Sequence, residues 1–355
     1  RHRRPPPAPS SASTSSASGA PDDPRVGPRA APCRPAGVGL VLTIGVDVGG
    51  TSVRAGVVDA EGTVLDTART PTPRSEAALE AALAGVIGEL AARHDVKAVG
   101  LALAGFITPD RRCVRFAPHL SWRDAPVADR IAKRIDMPVV VEHDANAAAL
   151  AERHFGAASG AATVVFVALG TGIGSALLLD GGLYRGAFGV APELGHLRVV
   201  PDGRPCPCGK NGCWERYCSG TALATTAVEL LARDPGSSLV LRRLVDGDPG
   251  QVTGQRVAVA AREGDPVACA AMDELARWLG EGLALVADVF DPELVVIGGG
   301  VSASAPLFLD EAREHYARTV TGGTRRPLAR IRTAQLGEAA AVVGAAQLAR
   351  DVNGH

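Results

Sequence analysis

The feature that most constrains this chain is a segment written twice. Residues 46–59 read VDVGGTSVRAGVVD, and 121 positions later residues 167–180 read VALGTGIGSALLLD. Gly49 aligns with Gly170, Ala55 with Ala176 and Asp59 with Asp180. Each copy is an apolar run, a Gly/Thr-rich turn, and a second apolar run ending in another turn. Short apolar runs punctuated by turn residues read as strands, so each copy is a β-turn-β unit. Gly-rich hairpins are common, but two equivalent units this far apart predict two similar α/β domains facing each other across a cleft.

Helix and strand patterns alternate between and after the copies. Residues 75–94 carry an amphipathic helix pattern, 98–103 a buried strand, and 137–142 a strand running into an Ala-rich helix at 145–153. Residues 273–289 read as a helix, 293–297 as a strand and 338–349 as a closing helix. Such alternation implies an α/β fold with mixed sheets. The expected organisation is a small N-terminal α/β domain over 41–157, completed by a C-terminal helix at about 338–350, and a larger one over 158–337. Residues 1–40 are set apart by composition, with Pro, Ser and Ala at 22 of the 40 positions. They hold too little apolar surface to offset their ordering entropy and are expected to be a disordered tail. The first residue is Arg, and the folded part is expected to begin near Val41.

Partner classes narrow on charge. Lys+Arg of 37 against Asp+Glu of 38 leaves a net charge of −1, with no cationic field for nucleic acid or an anionic membrane. Residues 155–179 are 25 positions without a charge, long enough to span a bilayer. Gly160, Gly170, Gly172 and Gly174 interrupt them, so a buried strand–turn–strand is the better reading. The opening RHRR has no apolar stretch behind it and is not a secretory signal.

Several clusters carry chemistry. Asp47, Gly49, Gly50 and Thr51 put a carboxylate beside a turn whose backbone amides can approach an anion, and the Asp can hold Mg²⁺ through water. Gly170, Thr171 and Gly172 offer the same backbone without the charge. Either turn alone suits an ordinary hairpin; paired, they suit one polyphosphate clasped from both sides. Residues 295–302, VVIGGGVS, empty a strand into a Gly-rich loop containing Gly299 and Gly300, a geometry suited to a nucleotide. It is neither a Walker A nor a GxGxxG motif. Asp144, in EHDAN, is either a plain helix N-cap or a carboxylate at a strand end that accepts a proton from a hydroxyl nucleophile.

The strongest cluster is His196 with Cys206, Cys208 and Cys213, the last three in CPCGKNGC. One imidazole and three thiolates meet the tetrahedral preference of structural Zn²⁺, whereas a disulfide between Cys206 and Cys208 would close a strained ring. Thiolate chemistry implies a reducing, cytoplasmic compartment. Cys218 is a spare thiol. Glu193 and Glu215 flank the cluster, where a zinc loop would fix them as partners for sugar hydroxyls. His196 would bind zinc through one ring nitrogen and donate from the other.

Taken together, IGVDVGGT, FAPHLSW, VVVEHDANAAA, LGTGIG, PELGH, CPCGKNGCWE and VIGGGVS resemble the ROK family of sugar kinases, within it the actinobacterial-type ATP-dependent glucokinases. The resemblance runs from about residue 42 to 350. It implies two actin/hexokinase-like (ribonuclease H-like) α/β domains around a cleft. It also implies transfer of the γ-phosphoryl group of MgATP to the 6-hydroxyl of glucose, with Asp144 as general base. Asp47 with Mg²⁺ and the two glycine turns would hold the phosphates, and Gly299 and Gly300 would lie by the adenosine. His143, Glu193, His196 and Glu215 would bind the sugar, while His196, Cys206, Cys208 and Cys213 would hold zinc. A homodimer or homotetramer is implied.

Three positions depart from the family pattern. His143 and His119 stand where Asn is usual, and Ser52 where Lys or Asn is frequent. The Asn replaced by His143 normally contacts the sugar, so specificity for another hexose or an N-acetyl amino sugar is the alternative. An imidazole there would also make sugar binding pH-dependent. A sugar-responsive ROK repressor is a weaker reading, because those proteins place a helix-turn-helix where this chain has its Pro/Ser-rich segment.

Overall fold

The computed structural model describes residues 41–234 and 236–354; the Pro/Ser/Ala-rich segment, with Cys33, lies outside the described residues. Strands β1 (Leu42–Val48), β2 (Ser52–Val58) and β3 (Val64–Pro71) are followed by helix α1 (Glu76–Ala91) and β4 (Val96–Leu103). Three short strands, β5 (Phe106–Ile107), β6 (Val114–Phe116) and β7 (Arg123–Ala125), lead to α2 (Val127–Ile135), β8 (Val139–His143) and α3 (Asp144–Phe155). Then come β9 (Val164–Leu169), β10 (Ile173–Leu179) and β11 (Gly182–Tyr184), and helices α4 (Gly220–Arg233), α5 (Val240–Leu244), α6 (Gly254–Arg262) and α7 (Pro266–Phe290). β12 (Leu294–Gly298), α8 (Leu309–Thr319), β13 (Arg330–Thr333) and α9 (Ala340–Val352) follow.

The sequence echo is an echo of topology. One sheet has the order β3-β2-β1-β4-β8 and a second the order β11-β10-β9-β12-β13. Each is an antiparallel meander of three strands continued by two parallel ones. The repeated segments are the hairpins β1–β2 and β9–β10, and the charge-free run 155–179 supplies the second of these. None of the described helices is long and apolar enough to cross a membrane. A small third sheet, β5-β6-β7, stands apart from both.

Helices α3 and α9 link the two sheets. Their facing residues are small: Ala147, Ala148 and Ala151 on α3, Gly344 and Ala345 on α9, all buried. A β-carbon on Gly344 would overlap the Ala147 carbonyl, so the close crossing requires glycine there. Although α9 follows the second sheet in sequence, it docks on the first. Thr43 Oγ1 donates to the Ala346 carbonyl at 2.9 Å, and Arg350 donates to the Val58 and Asp59 carbonyls at 3.0 and 2.8 Å.

The expected helix at 273–289 is the C-terminal two-thirds of α7, which begins at Pro266. The start is locally encoded. Asp265 caps the helix and proline occupies its first turn, where the missing N–H costs nothing. Asp265 is buried and accepts from Ser238 Oγ at 2.8 Å, from the Val240 and Leu241 amides at 3.1 Å, and from the Ala268 amide at 3.1 Å. Burial alone would raise its pKa. The hydrogen bonds from Leu241, Ser238, Ala268 and Val240 outweigh it and hold the carboxyl below the usual range. A depressed folded-state pKa means this stabilisation is complete above the unfolded value of about 3.9 and is lost as pH falls through the lower folded value. Asp265→Ala removes a cap and orphans a buried hydroxyl, and should cost about 3 kcal/mol in urea unfolding at pH 7. The cost relative to the parent chain should shrink below about pH 3.5 as the parent carboxyl protonates.

Candidate active site

β1 delivers Asp47 to the end of the first sheet, and β8 delivers His143 and Asp144 to the same end, two strands away. Asp47 is raised to about 6, first by burial and second by the neighbouring negative charge of Asp144, with Arg54 opposing. The two carboxylates therefore share one field, as metal- and phosphate-binding clefts do. Crowded anions of this kind suit a divalent cation. The adjoining turn is strapped down by Thr72, whose Oγ1 donates to the Gly49 carbonyl at 2.6 Å and whose amide donates to the Thr51 carbonyl at 3.1 Å. His119 packs over Gly50; a β-carbon on that glycine would come 3.1 Å from the β-carbon of His119.

Asp144 is not the N-cap of α3. His143 takes that position in extended backbone, and Asp144 is the first helical residue. Its Oδ1 accepts from the Ala145 amide at 2.7 Å and lies 3.3 Å from His143 Nδ1. Its Oδ2 accepts no hydrogen bond among the described residues. The helix start thus anchors one carboxylate oxygen and leaves the other open to a ligand.

On the second sheet, Gly170, Thr171 and Gly172 form the β9–β10 turn, closed by the Gly170 amide donating to the Gly172 carbonyl at 3.0 Å. Sequence reasoning missed its neighbour. The Gly220 amide, at the N-terminus of α4, donates to the Gly170 carbonyl at 2.8 Å, and Ser219 caps that helix. The S-G-T run at 219–221 was a legible helix-start signal. Gly299 completes the group: its φ is +79°, and a β-carbon there would collide with Leu169 at the end of β9. Gly299, Gly300, Gln335 and Glu338 are among the residues lining an open cavity of about 710 Å³. Two glycine loops and a helix N-terminus meet beside this cavity, an arrangement that suits an anion. No hydrogen bond joins this group to turn 49–51 among the described residues.

Glu193 lies between the two groups of residues. Its carboxyl is raised, chiefly by burial and also by Asp144 and Glu215, while His143 and His196 act against the shift. Its Oε2 lies 4.0 Å from His196 Nε2. Glu215 touches both halves of the site: Oε2 accepts from the Ile173 amide at 3.4 Å beside the glycine turn, and Oε1 lies 3.6 Å from His196 Nδ1.

The ligand atoms of His196, Cys206, Cys208 and Cys213 all lie within 4.8 Å of one another. Cys208 and Cys213 sulfurs are 3.6 Å apart, and Cys206 Sγ is 3.7 Å from His196 Nδ1. A tetrahedral zinc with Zn–S bonds of about 2.3 Å needs ligand atoms about 3.6–3.8 Å apart, so the donor set fits the metal. His196 turns Nδ1 to the Cys206 sulfur and to Glu215, and Nε2 to Glu193. Cys218 is buried and outside the cluster, and burial pushes its thiol up. The loop is bolted to the core through Trp214, whose indole donates to the Trp278 carbonyl on α7 at 2.7 Å.

A model of the ROK family matches residues 43–352. The glucokinase of Streptomyces coelicolor is 46% identical over 310 residues, covering 87% of this chain and 98% of that protein. Among solved structures, a ROK family glucokinase from Streptomyces griseus in complex with glucose and AMPPNP matches at TM-score 0.80 and 47% identity, covering 87% of this chain and 99% of the other. A ROK hexokinase from Thermus thermophilus matches at TM-score 0.75 and 33% identity, over 89% of this chain and all of that one.

Proposed function

The chain belongs to the ROK family, and on that footing we propose that it is an ATP-dependent glucokinase, passing the γ-phosphoryl group of ATP to the 6-hydroxyl of glucose. One observation carries the reading. Asp144 presents a free carboxylate oxygen in a cleft it shares with Asp47 on one side and Glu193 on the other.

Glu193, His143, Glu215 and His196 hold the sugar hydroxyls, and Asp144 Oδ2 takes the proton of the hydroxyl that attacks. The new O–P bond forms as the bond to the β-phosphate oxygen breaks, releasing ADP. Turns 49–51 and 170–172, with the N-terminus of α4, hold the phosphates, and Gly299 and Gly300 face the adenosine. Phosphoryl transfer asks for positioning and charge neutralisation rather than covalent catalysis, which is what these residues offer. Asp47 would hold Mg²⁺, which supplies charge neutralisation at the β- and γ-phosphates. His196, Cys206, Cys208 and Cys213 would hold a structural zinc, which supplies rigidity to the loop carrying Glu215. Reduced thiols of this kind support a cytoplasmic location, and the family resemblance supports a homodimer or homotetramer.

The test is ADP release by zinc-replete protein with MgATP across a panel of sugars led by glucose. Glucose should give the highest kcat/KM. Preference for another hexose or an N-acetyl amino sugar would keep the mechanism and assign His143 and His119 to altered specificity. Absence of turnover with every sugar would overturn the kinase reading.

A further inference from the structure

Glu142 is fully buried, with 1% of its side chain exposed, and it joins elements of all three sheets. It is the penultimate residue of β8, immediately before His143. Oε1 accepts from the His143 amide and from Asn146 Nδ2, both at 2.9 Å, and so clamps the strand-to-helix corner that carries Asp144. Oε2 accepts from Arg185 Nε at 2.6 Å and lies 3.4 Å from Arg111 Nε. Arg185 follows β11 of the second sheet, and Arg111 sits between β5 and β6 of the third.

Arg185 also opens the loop that leads to Glu193. Its carbonyl accepts from the Ala191 amide at 3.1 Å, closing residues 185–191. Beyond the loop, Ser175 Oγ donates to the Pro192 carbonyl and accepts from the Leu194 amide, both at 3.0 Å, fixing Glu193 between them. A continuous run of short polar contacts therefore connects the Asp144 corner to the Glu193 segment, and the Glu142–Arg185 pair is its crossing point between sheets.

Stability alone is a poor reason to bury such a pair. Desolvating two ions offsets most of their attraction, and apolar replacements are often neutral or stabilising. The polar complement here is also incomplete: Arg185 Nη2 and Asn146 Oδ1 are both buried without a partner among the described residues. What the pair does supply is fixed geometry between two parts of the site that lie on different sheets.

We propose that Glu142 and Arg185 are positioning residues for phosphoryl transfer: their ion pair sets the segment carrying Glu193 in register with the proton acceptor Asp144. The inference rests on the glucokinase reading above. Neither residue touches the reacting atoms, so their loss should act through misalignment: it lowers kcat and, because Glu193 shifts against the sugar, also weakens glucose binding. A displacement of about 1 Å at a reacting centre costs on the order of 10²-fold.

The experiment compares the zinc-loaded full chain with Arg185→Gln, Arg185→Lys, Glu142→Gln and the double variant Glu142→Gln/Arg185→Gln, at a temperature where circular dichroism shows each folded. Arg185→Gln should lower kcat about 10- to 100-fold and raise KM for glucose, while KM for ATP changes less than about threefold. Arg185→Lys, which keeps the charge and the fold but loses the fork, should recover part of that loss. The double variant should be no slower than the worse single one, because one interaction is removed once. A role confined to stability would lower the melting temperature and leave kcat of the folded variants unchanged; that result, or losses that multiply in the double variant, overturns the proposal. If Arg185→Gln does not fold, Arg185→Lys decides: a kcat equal to the parent's overturns it. A parent chain inactive with every sugar would overturn the underlying reading, and this proposal with it.

Discussion

Asp144→Asn should remove glucose phosphorylation almost entirely, with kcat falling about 10²- to 10⁴-fold, the range for loss of a positioned general base. The substitution is nearly isosteric. The amide oxygen can still accept from the Ala145 N–H, so the first turn of α3 should hold its place. Glucose affinity, read from quenching of the intrinsic tryptophan fluorescence, should change only a few-fold, because Glu193, His196 and Glu215 remain. The loss would then sit in kcat rather than KM, as expected for an interaction made only in the transition state. A variant that keeps a tenth or more of parental kcat would show that another group takes the proton.

Removing the metal should be nearly as damaging, by a different route. Purified protein should contain one zinc per chain by inductively coupled plasma mass spectrometry. Cys213→Ser should lose it. Cys213 is buried, its sulfur is 3.6 Å from that of Cys208, and its neighbour Trp214 fastens the loop to α7. Without the metal, the four donor groups would lose the ligand that joins them, and His196 would shift more freely against Glu193 and Glu215. KM for glucose should rise at least tenfold, kcat/KM should fall about 10²-fold, and the melting temperature should drop. Cys218→Ala is the control. That thiol is buried but lies outside the four-residue cluster, so zinc content and kinetics should stay near those of the parent chain. Full activity in a zinc-free chain would remove the metal from the account.

Much of the site was legible because its chemistry is local. The turns at 49–51 and 170–172, the EHDAN corner and the CPCGKNGC loop are each built from adjacent residues, so their spacing in sequence is their spacing in space. The duplicated hairpins likewise announced two sheets of equal topology. One boundary shifted by two residues: the final helix, expected from residue 338, begins at Ala340 after a turn of 3₁₀ helix at Gly337–Ala339. Asp144 was harder. An Asp at the head of a helix is the commonest of caps, and only the backbone of His143 shows that the cap lies one residue earlier.

What escaped the sequence altogether depends on distant residues meeting. Nothing in the run of residues 142, 185 and 111 marks them as partners, yet all three meet at one buried carboxylate. The same holds for Gly220 against Gly170, and for α9 laid on the first sheet through Thr43 and Arg350. The candidate ligand groups can be read along the chain, because turn conformation, strand pattern and thiol spacing are properties of neighbouring residues. How the two halves of the candidate site face each other depends on the fold. That arrangement is set by packing between elements more than a hundred residues apart, where the small side chains of α3 and α9 let the helices cross closely and buried polar groups must find whatever partners the crossing brings.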